Sequence, residues 1–219
     1  MLRLLARLQR GIERAGDVMA DVAGWIYLLS AFFITFDVVS RRYLGFSSQG
    51  TTEITGYLLA TAITWGLAHG LSSRAHIRVD VLLTRFRVRV RAYLHTVALA
   101  LLTVMALLFA RRGWSVIAES WEFGARDTSA LSLPLTVPQI PWAFGLTVFA
   151  ALTVLMLLRA CGLLVAGRPE AVDRMVASRG FEEEVEEARE AAGLAPAPPS
   201  PTGEGAPGRD RRDPPPGAA

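Results

Sequence analysis

The stretch I-T-G-Y-L-L-A-T-A-I-T-W-G-L-A-H-G-L-S-S, residues 54–73, runs for 20 residues without a formal charge. A helix rises about 1.5 Å per residue and the hydrocarbon core of a bilayer is about 30 Å thick, so roughly 20 largely apolar residues make one crossing. Working outward, Ala92–Ala110 is a second charge-free run, of 19 residues. Thr128–Leu158 is a third, of 31 residues, too long for a single crossing. Pro134, Pro138 and Pro141 break it up, and Pro141 suits the first turn of a helix, where its missing N–H costs nothing. That helix is therefore expected from Pro141 to Val165, with Arg159 reaching out to the interface on its long stem. Toward the N-terminus, Val22–Phe36 offers only 15 uncharged residues between Asp21 and Asp37. It spans if both acids sit near the interfaces, where the cost of a charge falls. Asp37 and Arg41 are four apart on a helix and can pair there.

These runs predict an all-α integral membrane protein with four transmembrane helices, at about residues 18–40, 53–73, 92–111 and 141–165. A cytoplasmic basic N-terminus (1–17) precedes the membrane domain (18–167). An acidic and then Pro-rich cytoplasmic tail (168–219) follows it. A cleaved signal peptide is the rival reading of the first run, given Arg3, Arg7, Arg10 and Arg14 ahead of it. No small-x-small site follows, since residues 38–43 read V-V-S-R-R-Y. Residues 1–167 carry 16 Arg against 9 acids, and residues 168–219 carry 7 Arg against 11. A sequence pI near 9.6 invites a nucleic-acid reading. The Arg residues flank apolar runs instead of forming a basic domain, so membrane topology explains them better and no nucleic acid is expected. Four Arg precede the first run and six lie between residues 74 and 91. The positive-inside rule places both in the cytoplasm, and an even helix count returns the C-terminus to that side. Trp114, Trp121 and Trp142 then fall at the opposite interface. In the tail, Phe181–Ala192 is acidic enough for a short solvated helix, while residues 195–219 hold eight of the twelve Pro and are predicted to be disordered.

Little in the chain points to chemistry. There is no P-loop, paired-Cys, H-E-x-x-H or nucleophile motif, so no enzymatic activity, metal or cofactor is expected. Cys161, the one cysteine, reads as a packing residue. His69 and His95 fall on neighbouring predicted helices, the arrangement a bis-His haem would require; interfacial histidines with hydrogen-bond partners are the plainer account. Small residues recur along the second helix at Gly56, Ala60, Thr64 and Ala68, and again at Ala62, Gly66 and Gly70. In lipid, where no hydrophobic force drives helices together, such stripes allow close backbone approach, and two of them imply a helix packed on two sides. The segment from His76 to Arg91 is basic and apolar at once. Residues 85–91 alternate with a period of two, which suits a strand; an irregular helix lying among lipid headgroups is the alternative favoured here.

The segments F-D-V-V-S-R-R-Y-L-G (36–45, with Asp37, Arg41 and Arg42), E-I-T-G-Y-L (53–58, opening with Glu53), G-L-A-H-G-L-S-S-R-A-H-I-R-V-D (66–80) and P-Q-I-P-W (138–142) share an order and spacing. Together with four helices they resemble the small membrane subunit of tripartite ATP-independent periplasmic (TRAP) transporters, over about residues 25–164. The H-I-R-V-D string, with His76, Arg78 and Asp80, is the most specific part. The resemblance implies a subunit of the bacterial inner membrane without an active site of its own. Its partners would be membrane lipids, a large permease subunit holding the substrate and sodium sites, and a periplasmic binding protein that delivers an organic acid such as a dicarboxylate. It also marks Asp37, Arg41, Arg42, Glu53, Gly66, His76, Arg78, Asp80, Pro138 and Pro141 as family-motif or assembly candidates. A haem-bearing anchor of a respiratory enzyme and the small subunit of a tricarboxylate uptake system are the other classes that fit four helices. The long tail departs from the family pattern.

Overall fold

The computed structural model describes residues 2–46, 50–73, 87–129 and 131–176. The chain divides after Ser178, and all described residues belong to the first unit. The described residues form five helices: α1 (Leu2–Tyr43), α2 (Thr51–Ser72), α3 (Val88–Glu122), α4 (Thr136–Val165) and α5 (Pro169–Val176). No strand occurs among the described residues beyond an isolated antiparallel bridge between Arg126 and Pro134. Among the described residues, three helices are long and apolar enough to cross a membrane: Leu4–Tyr43, Val88–Glu122 and Thr136–Val165. The fold class is thus all-helical, as expected, with three such helices rather than four.

Helix α2 is the exception, although its charge-free run has the right length. Absence of charge is not apolarity: Thr55, Thr61, Thr64, Trp65 and His69 dilute its aliphatic content. Two of its buried threonines bond within the helix, Thr55 Oγ1 donating to Thr51 O at 2.7 Å and Thr64 Oγ1 to Thr61 O at 2.9 Å. Helix α2 packs on α1 and α4, as its two small-residue stripes implied. The centre of the bundle is α4, however, which touches α1, α2, α3 and α5.

Helix α1 begins at Leu2, well before the predicted crossing, because nothing in the basic segment breaks a helix. Most of its buried residues lie on one seam, Gln9, Gly16, Ala23, Ser30 and Asp37, each seven residues after the last, with Met19 and Ser40 buried beside it. A seven-residue repeat keeps one stripe of a helix facing its neighbour along its length. The seam consists of small and polar residues, whereas Trp25, Leu28 and Phe32 on the other faces are each at least 60% exposed. This inside-out pattern belongs to helices that meet lipid or another membrane protein. At Gly16 the approach is closest, since a Cβ there would lie 3.1 Å from the Ala68 Cβ.

Helices α3 and α4 overrun their predicted ends. Beyond the charge-free run, α3 carries Arg111, Arg112 and nearly three further turns to Glu122. At its start, Val88–Arg91 form the first turn of a helix and not a strand. Four residues of alternation are compatible with either, and Arg91 is claimed by a partner described below. Helix α4 starts at Thr136, five residues before Pro141. Pro138 falls in its first turn, where an N–H has no intrahelical partner anyway, and Pro141 sits inside the helix. Arg159 does not merely reach the interface: its Nη1 donates to Gln9 Oε1 on α1 at 3.1 Å. After a turn at Gly167, with φ +69°, the chain reverses into α5, so residues 169–176 of the expected tail form a helix packed on α3.

Candidate functional site

Three groups of polar residues tie the helices together. The first lies where α2 crosses α4. The Trp65 indole Nε1 donates to Pro141 O at 2.9 Å, and the Trp65 and Phe144 rings meet edge to face at 6.4 Å. One turn on, Gly145 permits the crossing: a Cβ there would lie 2.6 Å from Thr64 Oγ1 and 2.9 Å from the Thr64 carbonyl carbon. Both are far inside van der Waals contact, so only glycine fits. Gly113 does the same on a smaller scale for α3, at 3.3 Å from the Trp142 ring and 3.4 Å from the Ala143 Cβ.

The second group caps the end of the bundle where α2 begins. The loop of residues 123–135 folds over with the Arg126–Pro134 bridge, and Asp127 points into it. Tyr57 on α2 donates its hydroxyl to Asp127 Oδ2 at 2.7 Å, and the Ser129 hydroxyl donates to the same oxygen at 2.8 Å. The Tyr57 hydrogen bond, then that from Ser129, hold the Asp127 carboxyl below the usual carboxylate range. Glu53 stands in the first turn of α2, where a carboxylate meets the positive end of the helix dipole. Its Oε2 is buried without a hydrogen bond among the described residues. Sequence reading had no access to the Tyr57–Asp127 pair, which joins residues 70 apart.

The third group fixes α5. Asp173 is buried and accepts from Arg91 through both guanidinium positions, Nε to Oδ1 at 2.6 Å and Nη2 to Oδ2. The buried His95 lies alongside, Nε2 3.6 Å from Asp173 Oδ1. A fork of two parallel N–H donors is the strongest way to hold a carboxylate. The apolar partners of this lock, Ala92, Val172 and Val176, are also buried. Sequence reading missed Asp173 by assigning it to the tail. The apolar spacing of Val172, Met175 and Val176 in P-E-A-V-D-R-M-V was the available signal.

The motif candidates fare unevenly. Asp37 is buried on the α1 seam and accepts from Arg41 Nη2 at 2.8 Å, as their spacing required, while Arg42 is exposed. Gly66 has open space where a Cβ would go. Pro138 lies in the first turn of α4, and Pro141, about one turn on, supplies the acceptor of the Trp65 hydrogen bond. His76, Arg78 and Asp80 lie outside the described residues, as do the basic segment up to residue 86 and the tail beyond 176. His69 and His95 are not brought together. His69 Nδ1 pairs with Asp17 on α1 at 2.8 Å, His95 faces Asp173, and α2 and α3 share no packed interface. Among the described residues no group of three or more His, Cys, Asp or Glu could hold a metal ion.

Each of these three groups thus joins one helix to another or to a loop. Residues 30–162, well over half of the chain, match the family model described as tripartite ATP-independent periplasmic transporters, DctQ component. The chain belongs to this family and is a small permease component of a TRAP transporter. That decides among the three classes the helices left open, and the family is one of transporter components rather than enzymes. No curated protein and no solved structure gives a significant match.

Proposed function

We propose that this chain is a scaffold: it crosses the bacterial inner membrane four times, both ends in the cytoplasm, and enlarges the fixed part of a transporter. A large permease subunit would carry the substrate and sodium sites. A periplasmic binding protein would deliver an organic acid, such as a dicarboxylate. Helix α2 would be the fourth crossing, its polar content tolerated because α1 and α4 cover it on two sides. The observation that carries this reading is how the interior polar groups are used. Thr55, Thr64, Thr103 and Thr153 all donate to carbonyls of their own helices. Groups spent in this way line no path for an anion. The surface supports the same view, with exposed Trp25, Leu28, Phe32, Leu101 and Phe109 available to lipid or to a larger partner.

The test is affinity purification of the full chain after mild solubilisation. A large polytopic permease should accompany it, and recovery of the chain alone from cells making the whole system would sink the scaffold reading. Orientation is tested separately with a reporter active only in the periplasm. It should be active when fused near Gly50 or Gly124, and silent near Arg85 or Gly180.

A further inference from the structure

At the end of the bundle where α3 begins and α4 turns into α5, a cavity of about 700 Å³ opens to the outside. Arg87, just before α3, and Arg89 in its first turn line it on one side, with Arg168 before α5 and Glu170 in the first turn of α5 on the other. All three guanidinium groups are exposed and none is drawn into an ion pair among the described residues, whereas the neighbouring Arg91 is spent on Asp173. The cavity therefore carries three cations and one acid. Its surroundings set its depth. Arg87 and Arg89 immediately precede the charge-free run Ala92–Ala110, and Arg168 follows the apolar end of α4 at Val165. This is the level at which a bilayer presents its phosphates.

The surface leading away from the cavity is apolar. On α3 the face that starts with Arg89 continues, at helical spacing, through Tyr93, Val97, Leu101, Val104 and Leu108, each about half exposed or more. A water-soluble phosphate has no use for such a ridge. A phospholipid does, with its phosphate among the guanidiniums and an acyl chain along Tyr93, Val97 and Leu101. Guanidinium groups suit phosphate oxygens because their planar N–H forks match them in pairs.

We propose that this cavity binds the phosphate of an anionic phospholipid whose acyl chain lies along the exposed ridge of α3. The proposal does not depend on the scaffold reading, since it concerns this chain and lipid alone. It is tested on the purified full chain in detergent, with lipid retained through native mass spectrometry as the readout. Phosphatidylglycerol, phosphatidylcholine and inorganic phosphate are added in parallel. The protein should retain one phosphatidylglycerol in strong preference to phosphatidylcholine, whose choline is repelled by the three Arg, and inorganic phosphate should not displace it. Surface Arg near anionic lipid contribute enough that Arg87→Gln/Arg89→Gln/Arg168→Gln should weaken retention by roughly a hundredfold. Arg111→Gln/Arg112→Gln, just past the far end of the charge-free run of α3, should leave it unchanged. Because the three cavity Arg hold no ion pair among the described residues, the triple variant should remain monodisperse and helical. Equal loss in both variants would mean diffuse attraction and overturn the proposal. Displacement by inorganic phosphate would identify a soluble phosphate as the occupant and overturn the lipid assignment. Retention of phosphatidylglycerol by the cavity variant at the wild-type level would do so as well.

Discussion

Replacing Gly145 by Ala should loosen the crossing of α2 and α4 more than any other single methyl added to the bundle. The new Cβ would stand 2.6 Å from Thr64 Oγ1, 2.8 Å from Trp65 Cδ1 and 2.9 Å from the Thr64 carbonyl carbon. The hydroxyl could rotate away, but the carbonyl carbon cannot move without α2. Carbon atoms rest about 3.5–4.0 Å apart, so the helices must separate locally by roughly 0.5–1 Å, which forfeits a quarter to a half of each contact at the seam. The Trp65–Pro141 hydrogen bond, now 2.9 Å, would stretch with them. Overpacking of this kind costs about 1–3 kcal/mol, and the better helix propensity of Ala returns up to about 1 kcal/mol. The net expectation is a loss of roughly 1–2 kcal/mol. Reversible unfolding in mixed micelles, titrated with a denaturing detergent and followed by tryptophan fluorescence, would measure it. Gly70→Ala is the control, because no atom lies within 4 Å of the Cβ it would add. It should be neutral or slightly stabilising. If Gly145→Ala were as stable as the wild type with the Trp65 signal unchanged, the close crossing would not be a structural requirement.

The lock on α5 predicts that Asp173→Ala releases the helix. Losing hydrogen bonds to a charged group costs about 1.5–3 kcal/mol, so a Val172→Cys thiol, introduced with Cys161→Ser, should react with maleimide at least roughly tenfold faster once Asp173 is removed. Equal rates would show that the pair does not hold α5. Tyr57→Phe removes the largest influence lowering the Asp127 pKa, which should move back toward 3.8. A depressed carboxylate stabilises the fold above its ordinary pKa and ceases to do so as pH falls through the lower folded value. Wild type and Tyr57→Phe should therefore differ in thermal stability at neutral pH and converge once Asp127 is protonated in both; a gap that persisted in acid would point to packing alone. On the basic segment, Asp80→Ala should reduce the amount of transporter recovered without moving the substrate concentration for half-maximal uptake. A shift in that concentration at constant abundance would place the segment at the transport site.

What the sequence could convey depended on whether a residue's partner was near it in the chain. The helices were legible because charge-free runs of about 20 residues have few other uses, and the Asp37–Arg41 pair because both members share one helix. The ends were not. Runs of charge mark where a membrane stops, whereas helices stop where backbone partners run out, so α1 extends back to Leu2 and α3 on to Glu122. Helix α2 shows the converse case, a run without charges but diluted by Thr and Gly. Gly145 could not be told from the other glycines, since its use depends on Thr64 and Trp65 far along the chain. The same holds for Asp173, whose partners Arg91 and His95 lie on α3.

The seam on α1 bears on how such a bundle holds together. In water, a heptad stripe of Gln9, Gly16, Ala23, Ser30 and Asp37 would be too poor in apolar area to join two helices. In lipid that area counts for little, because tails solvate leucine as well as leucine does, and close approach and polar pairing decide which faces meet. The three ties across this bundle obey that rule: glycine at the α2–α4 crossing, tyrosine to aspartate at the loop, and an arginine fork on Asp173. Leu99, Phe149, Leu152 and Met156 still fill a core between α3 and α4, but on α1 most large apolar side chains are turned outward. A helix so sparingly engaged within its own chain leaves most of its surface for lipid or for a larger membrane partner. The glycines of α2 support the same view. Gly56, Gly66 and Gly70 have nothing within 4 Å where a side chain would begin, although each lowers helix stability by about 1 kcal/mol relative to Ala. Nothing among the described residues recovers that cost, so the face they form makes physical sense as a surface for close approach by another helix. On the scaffold reading, that helix belongs to the large permease subunit.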